Sequence, residues 1–229
     1  FYTKEPETLK WIESFETINQ SKIIFWDIGA NMGLYSIYAS LIHQNIDVVS
    51  FEPSTSNTRL LSRNISVNSL FNRVKIFPLA LNDKKNIFSL FNETDFQEGS
   101  AISTFDKKIN SIGAKLDESL VENKYKLFGT TIDYLIDNKL IEAPNYIKID
   151  VDGIEHLILK GASKLMDRND LKELLVEMNP TNTEQTEFIY RLFKEKGFKK
   201  IISTNANLIN NKNYKLKQNE NVNAIFRKI

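Results

Sequence analysis

Short apolar runs alternate along the chain with segments whose apolar residues recur at helical spacing. The runs predict buried strands at Ile23–Ile28, Asp47–Phe51, Val74–Leu81, Tyr146–Asp150 and Leu174–Met178. The segments between them, such as the one that follows Gly33, have the spacing of amphipathic helices. Strands that alternate with helices favour an open, mostly parallel sheet with helices on both of its faces.

The two ends of the chain complete this pattern. Apolar residues at helical spacing predict an N-terminal helix over about 5–19. Two final strands, Phe198–Ser203 and Val222–Phe226, are separated only by an Asn-rich segment, so a hairpin there would add an antiparallel strand to the sheet. No Pro/Gly/Ser-rich linker divides the chain, which predicts a single domain over 1–229.

Between about 82 and 126 the pattern loosens, and we predict an insertion in this region. It contains a short apolar run at Ile87–Phe91 and a small-residue segment at Gly99–Ser103. We expect a hairpin together with a segment that lies over a pocket.

The first strand ends in a turn with the composition of a ligand-binding loop. Gly29 has no Cβ to block a ligand, the next residue, Ala30, is also small, and Asn31 tolerates the left-handed conformation. The helix that begins at Gly33 presents free N–H groups to an anion, such as the carboxylate of a methionine moiety. Asp27 is positioned either to organise the loop or to bind an amino group.

The second strand ends in an acid, Glu52, followed by Pro53. Such an acid is expected to accept hydrogen bonds from both hydroxyls of a ribose. A dinucleotide site would need a third glycine where Leu34 stands, and a P-loop would need a Gly-Lys-Ser/Thr sequence that is absent. The turn therefore indicates S-adenosylmethionine (SAM), which carries no phosphate, and we expect the backbone at Ala80 and Leu81 to meet its adenine edge.

Three carboxylates and a histidine follow the fourth strand: Asp150, Asp152, Glu155 and His156. Because parallel strands place their carboxyl ends at one edge of a sheet, this cluster should face the same pocket as the turn. Asp150 is expected beside the cofactor. Asp152, Glu155 and His156 are candidate bases for removing the proton of a hydroxyl acceptor, although Glu155 and His156 would equally serve to cap a helix.

A divalent metal is compatible with the sequence but is not favoured. Asp150, together with Glu177 and Asn179 after the fifth strand, supplies oxygen atoms of the kind that Mg²⁺ prefers. The spacing of these residues in the sequence permits a metal site but does not specify one. Asn179-Pro180 also lacks the second proline and the aromatic residue of the amino-methyltransferase motif, so methylation of nitrogen is not supported.

Composition narrows the partners and the compartment. Lys+Arg 30 against Asp+Glu 29 gives no net field that would attract nucleic acid. The absence of cysteine excludes disulfides and thiolate catalysis and fits a reducing, cytoplasmic location. No apolar run approaches the ~20 residues that span a bilayer, so no membrane span is expected. The oligomeric state is left open.

Taken together, the motifs resemble those of FkbM-type methyltransferases. They are Asp27–Ser36, Phe51–Pro53, Ala80–Asp83, Ile147–Glu155 and Leu159–Ala162. The resemblance implies a seven-stranded class I, Rossmann-like fold and SAM-dependent O-methylation, often of sugar hydroxyls on glycans, glycolipids or glycosylated metabolites. This chain has Asp152 where the family often has Glu, which keeps the charge but shortens its reach.

The leading hypothesis is therefore a SAM-dependent O-methyltransferase that modifies a carbohydrate hydroxyl. A first alternative is a catalytically inactive SAM-fold module that serves in binding or scaffolding. A second is a methyltransferase that acts on a non-sugar acceptor, such as a protein or lipid hydroxyl. A nucleic-acid enzyme is less consistent with the balanced charge.

Overall fold

The elements of secondary structure follow the predicted alternation. The computed structural model describes residues 5–17, 21–101, 103–107, 115–203 and 221–229, so the predicted Asn-rich segment at 204–215 lies outside the described residues. The α-helices are α1 (Pro6–Glu13), α2 (Leu34–Ile42), α3 (Thr55–Val67), α4 (Ile132–Asp137), α5 (Glu155–Lys160) and α6 (Thr183–Glu195). Single 3-10 turns occupy Glu118–Leu120 and Leu165–Asp167.

The strands fall into two sheets. In chain order they are β1 (Ile23–Ile28), β2 (Ile46–Phe51), β3 (Val74–Phe77), β4 (Ala80–Leu81), β5 (Ile87–Glu93), β6 (Ser103–Phe105), β7 (Asn123–Thr130), β8 (Tyr146–Ile149), β9 (Glu173–Met178), β10 (Phe198–Ser203) and β11 (Val222–Lys228). Within the described residues, seven of them form the main sheet, in the order β10-β11-β9-β8-β1-β2-β3.

The main sheet confirms the predicted fold class. Strands β3, β2, β1, β8 and β9 are parallel, whereas β11 runs antiparallel to both of its neighbours, β9 and β10. One apolar core joins one face of the sheet to α4, α5 and α6, and a second joins the other face to α1, α2 and α3. Phe25 and Trp26, adjacent on β1, point into these two different cores, as alternation along a strand requires.

A smaller sheet, here called the cap sheet, contains the order β4-β7-β5-β6 in the described part of the chain. The prediction of one continuous third strand over Val74–Leu81 is wrong, because the chain leaves the main sheet at Phe77 and joins the cap sheet at Ala80. Pro78 has no N–H to give to a ladder, and the N–H of Leu79 donates to the carbonyl of Phe77, 2.9 Å away, in a tight turn.

The N-terminal helix is shorter than predicted. It ends at Glu13, while residues 14–17 are not helical and 18–19 lie outside the described residues. The Ser14 hydroxyl donates to the carbonyl of Trp11, and this local bond competes with continuation of the helix. The described part of the chain contains no helix that is both long and apolar enough to cross a membrane.

Candidate active site

A cavity of about 460 Å³ lies at the carboxyl ends of β1, β2 and β8, enclosed between the main sheet and the cap sheet. The predicted site residues that line it are Gly29, Ala30, Asn31, Glu52, Pro53, Ala80, Leu81, Asp150 and Asp152. Those that do not line it, although they are described, are Asp27, Gly33, Glu155 and His156. Of the permissive metal set, Glu177 lines the cavity beside Asp150, and Asn179 does not.

The turn after β1 brings backbone against backbone. The N–H groups of Gly29 and Ala30 both donate to the carbonyl of Phe51, each over 3.0 Å, which fixes the loop to the end of β2. Gly29 has a φ of 82°, and a Cβ added there would lie 1.8 Å from the carbonyl oxygen of Asp150. A glycine is therefore required at this position both for its conformation and for the space it leaves.

Glu52 connects this turn to the next helix. Its Oε2 accepts from the N–H of Asn31 over 2.7 Å, and its Oε1 accepts from the N–H of Ser54 over 2.9 Å. Burial raises the pKa of Glu52 to about 7, against the opposing effect of these two hydrogen bonds. Each carboxylate oxygen keeps a further lone pair that can accept from a ligand hydroxyl.

Asp27 lies behind the loop rather than in the cavity. It is fully buried, and its Oδ2 accepts from the Ser36 hydroxyl over 2.6 Å, which in turn lies 2.7 Å from the Ser50 hydroxyl. Burial raises its pKa, although the nearby Lys148 opposes the shift. Of the two roles that the sequence allowed, this geometry favours organising the loop.

The acidic turn after β8 separates its carboxylates into two environments. Asp152, with a φ of 57°, lines the cavity, and its Oδ2 accepts from the N–H of Ser103 over 3.2 Å. Glu155 instead holds the turn together, because its Oε1 accepts from the N–H groups of Val151 and Gly153 and its Oε2 accepts from the amide of Gln185. Burial raises the pKa of Glu155 to about 7.

His156 also faces away from the cavity. Its Nδ1 lies 3.4 Å from the Gln185 amide nitrogen, and burial lowers its pKa. Among the three candidate bases, Asp152 alone lines the cavity, whereas Glu155 and His156 contact Gln185.

A buried lysine, Lys148, lines the cavity and forms an ion pair there with Asp150. The Nζ of Lys148 lies 2.6 Å from Oδ2 of Asp150, and the Lys148 side chain is 1% exposed. Burial by itself would lower the Lys148 pKa, but the carboxylates of Asp150, Asp27 and Glu5 outweigh burial and raise it. Burial and the neighbouring carboxylates raise the pKa of Glu177 to about 9, and Glu177 shares a hydrogen bond with Asp150.

The carboxylates next to this lysine are already engaged with other groups. A cationic ammonium contacts Asp150, and burial raises the pKa of Glu177, which disfavours its charged form. No group of three or more His, Cys, Asp or Glu side chains among the described residues is arranged to hold a metal ion.

The segment predicted to approach the pocket forms one of its walls. The Asn31 amide donates to the carbonyls of Gly99 and Ser100, each over 3.1 Å. Asn57 accepts from the N–H of Gly99 over 2.8 Å and donates to the carbonyl of Ser100 over 2.9 Å. Gly99, Ser100 and Ala101 are here called the strap, which two hydrogen bonds join to Asn31 of the turn after β1 and two join to Asn57 of α3.

Several lining residues escaped the sequence analysis. The Tyr35 hydroxyl donates to Oε2 of Glu5 over 2.6 Å, and Lys148 lies over the Tyr35 ring. The Asn221 amide donates to Oε2 of Glu177 over 2.9 Å. Of these residues, only Lys148 could have been identified from the sequence, because a lysine within a buried apolar strand needs a carboxylate partner. Glu5 and Asn221 are remote from the motifs in sequence, and no pattern around them indicated a place in the site.

A family model described as "Methyltransferase FkbM domain" matches residues 27–200, which include the turn, Glu52 and the acidic turn. The chain belongs to the FkbM methyltransferase family. A curated relative, the methyltransferase sdnD of Sordaria araneosa, is 26% identical over 160 residues, which cover 60% of each protein. This FkbM-family chain thus aligns with less than two thirds of that relative's length.

Solved structures similar to this FkbM-family protein show its fold. An FkbM methyltransferase of Methylobacillus flagellatus KT has a TM-score of 0.52 at 13% identity, covering 90% of this chain and 43% of that one. A precorrin-6y C5,15-methyltransferase of Geobacter metallireducens GS-15 also has a TM-score of 0.52 at 13% identity, covering 98% and 87%. An rRNA methylase of Streptococcus thermophilus has a TM-score of 0.54 at 9% identity, covering 97% and 95%. The fold is that of class I SAM-dependent methyltransferases, which implies SAM as the cofactor.

Proposed function

We propose that this FkbM-family methyltransferase transfers the methyl group of SAM to a hydroxyl, on a sugar of a glycan, glycolipid or glycosylated metabolite. The observation that carries the proposal is one cavity whose lining combines two kinds of group. The glycine turn and Glu52 line it, and so do the carboxylates of Asp150, Asp152 and Glu177. The turn and Glu52 suit a nucleoside, and a carboxylate such as that of Asp152 suits a hydroxyl that must lose a proton.

The residues present suit the cofactor. The absence of a Cβ at Gly29 lets the turn pack against the carbonyl of Asp150, and Glu52 keeps lone pairs for the ribose hydroxyls. Ala80 and Leu81 offer backbone and apolar surface for an adenine ring. When bound, SAM supplies an electrophilic methyl group on a sulfonium centre.

The carboxylate of Asp152 in the cavity favours methylation of a hydroxyl oxygen. A hydroxyl is a weak nucleophile at neutral pH, so its methylation needs a neighbouring group that accepts the proton. Asp152 is our candidate for that role, because it is the candidate base that lines the cavity. Glu5 and Asn221, which also line it, offer the carboxylate and amide groups that commonly bind the hydroxyls of a polyol.

Calorimetry tests the cofactor half of the proposal. We expect SAM and S-adenosylhomocysteine (SAH) to bind with affinity on the order of micromolar. Glu52→Ala should weaken SAM binding more than Asp152→Ala does, because Glu52 accepts a hydrogen bond from the N–H of Asn31 in the glycine turn. No heat of binding at millimolar ligand would refute SAM dependence, and loss of SAM binding in Asp152→Ala alone would reverse the two assignments.

The acceptor half requires a screen. Glycans, glycolipids and glycosylated metabolites are incubated with the protein and SAM, and mass spectrometry searches for a gain of CH₂ with stoichiometric SAH. A methylated sugar hydroxyl is the expected result. Cofactor binding without turnover on any acceptor would favour the inactive scaffolding module, and a methylated protein or lipid hydroxyl would favour the non-sugar alternative.

A further inference from the structure

The two faces of the cap sheet differ in what they contact. On its inner face, Phe91, Tyr125 and Leu127 belong to an apolar cluster with Ile154 and Leu157 beside the cavity. Among the described residues, no apolar cluster covers the outer face in this way. Because side chains alternate along a strand, every second residue of β5 and β7 points away from the enzyme.

The outer face presents an apolar pair at its centre. Phe88 and Phe128 are directly opposite each other across β5 and β7, and they are 67% and 44% exposed. Leu90, the next outward residue of β5, is 38% exposed. Phe96, in the loop after β5, is exposed too, so three of the four exposed phenylalanines in the described residues belong to this sheet and its loops. Such clustering makes this face a candidate interaction surface.

Basic side chains border this apolar pair. Lys126 lies opposite Leu90, and Lys124 is the next outward residue of β7; both are exposed. Neither takes part in an ion pair with any described residue. Glu122 continues the series, but its carboxylate accepts from the N–H of Phe96 and is committed to that loop.

We propose that this outer face, defined by Phe88, Leu90, Lys124, Lys126 and Phe128, binds an anionic lipid surface. Phenylalanine and leucine side chains can insert at the boundary between lipid headgroups and acyl chains. Lysines extend their amino groups to lipid phosphates while their stems cover apolar surface. The face has both components, and binding through it leaves the inner face and the cavity intact.

A second copy of this chain fits the face less well. The three apolar side chains together expose roughly 300 Å², whereas a stable interface buries about 800 Å² on each partner. A twofold interface would also bring the lysines of one copy towards those of the other. Binding to a lipid surface does not require a buried protein interface of that size, and anionic lipids attract the two lysines.

Vesicle co-sedimentation tests the proposal. The full chain is mixed with vesicles of phosphatidylcholine alone or with phosphatidylserine added, at low and at physiological salt. We expect binding to the anionic vesicles that weakens as salt rises. Phe88→Ser with Phe128→Ser should weaken it at least about tenfold. Lys124→Glu with Lys126→Glu should weaken it at least about twentyfold, since each lysine near an anionic surface contributes about fivefold.

Matched substitutions provide the controls. Phe71, in the turn before β3, is also 67% exposed, so Phe71→Ser removes an equal ring elsewhere on the surface. Lys194→Glu with Lys199→Glu makes the same charge change on α6 and β10. Both controls should bind vesicles like the parent protein, and SAH affinity should be unchanged in all variants.

Three results would overturn the proposal. The first is no binding to anionic vesicles at low salt, and the second is equal weakening by the control substitutions. The third is a dimer, seen by analytical ultracentrifugation, that dissociates in Phe88→Ser, because it would assign the face to a second copy of the chain.

Discussion

The protonation of Glu52 should control cofactor affinity near neutral pH. Burial raises its pKa to about 7, and the two ribose hydroxyls can donate only to an oxygen that accepts, which favours the ionised form. SAH affinity should therefore rise as the pH rises. If only the ionised form binds, its fraction goes from about a tenth near pH 6 to about nine tenths near pH 8, so Kd should fall about ninefold.

The stability of the ligand-free protein should change in the opposite direction. Because the folded pKa of Glu52 is raised above its ordinary value, its contribution to folding is fully present at low pH, below that ordinary value, and is lost as the pH rises through about 7. SAH should thus stabilise the protein most at the pH where the ligand-free protein has lost this contribution. Thermal melts with and without SAH measure the difference.

Isothermal titration calorimetry of SAH across this pH range is the assay. At a pH equal to the pKa, binding should release about half a proton, detected with buffers of different ionisation enthalpy. Glu52→Gln should weaken SAH about tenfold or more and remove the pH dependence, whereas Asp152→Asn should keep it. A parent Kd that is flat with pH, or a slope that survives in Glu52→Gln, would refute the reasoning.

Three further predictions concern the scaffold of the site. Gly29→Ala should abolish SAH binding and lower the free energy of unfolding by at least about 2 kcal/mol more than Gly197→Ala does. Gly197 also has a positive φ, but a Cβ added there has no atom within 4 Å. Chemical denaturation measures both variants, and equal losses of stability would contradict the prediction. Lys148→Met should destabilise by about 3 kcal/mol by leaving buried carboxylates without their cation, whereas Lys164→Met, at an exposed pair, should unfold like the parent. Asn57→Ala should weaken SAH binding severalfold and speed backbone hydrogen exchange at the strap, because it removes two hydrogen bonds to that segment. Unchanged exchange would show that Asn57 does not hold the strap.

The local pattern was sufficient for the class of the main sheet and for the turn after β1. Strand and helix periods differ, so their alternation indicated a mostly parallel sheet, and the absence of a helical pattern before Val222 indicated the antiparallel strand. The turn was readable because Gly29 and Asn31 have conformational needs that few other residues meet. Glu52 followed from its position at the end of the adjacent strand.

The cap sheet could not be read in the same way. Its strands β5 and β7 pair residues that are 30 to 42 positions apart, from Glu93 opposite Asn123 to Ile87 opposite Gly129, and such pairing has no local signature. Pro78 stands within the predicted third strand, but the path of the chain after it depended on β7 lying beside Ala80. Tertiary pairing therefore decided where the third strand ended and which wall closed the cavity.

The sequence by itself determined the fold class, the family motifs and the residue types available for chemistry, because these follow from short-range periodicity and backbone conformation. Only the tertiary structure decided which acids face the cavity. Asp150, Asp152 and Glu155 are near neighbours in sequence, yet Asp150 and Asp152 line the cavity, with Asp150 paired to Lys148, whereas Glu155 holds the turn with Gln185. The direction of each side chain and the dielectric around it depend on partners remote in the chain, and these set the charge of each carboxylate.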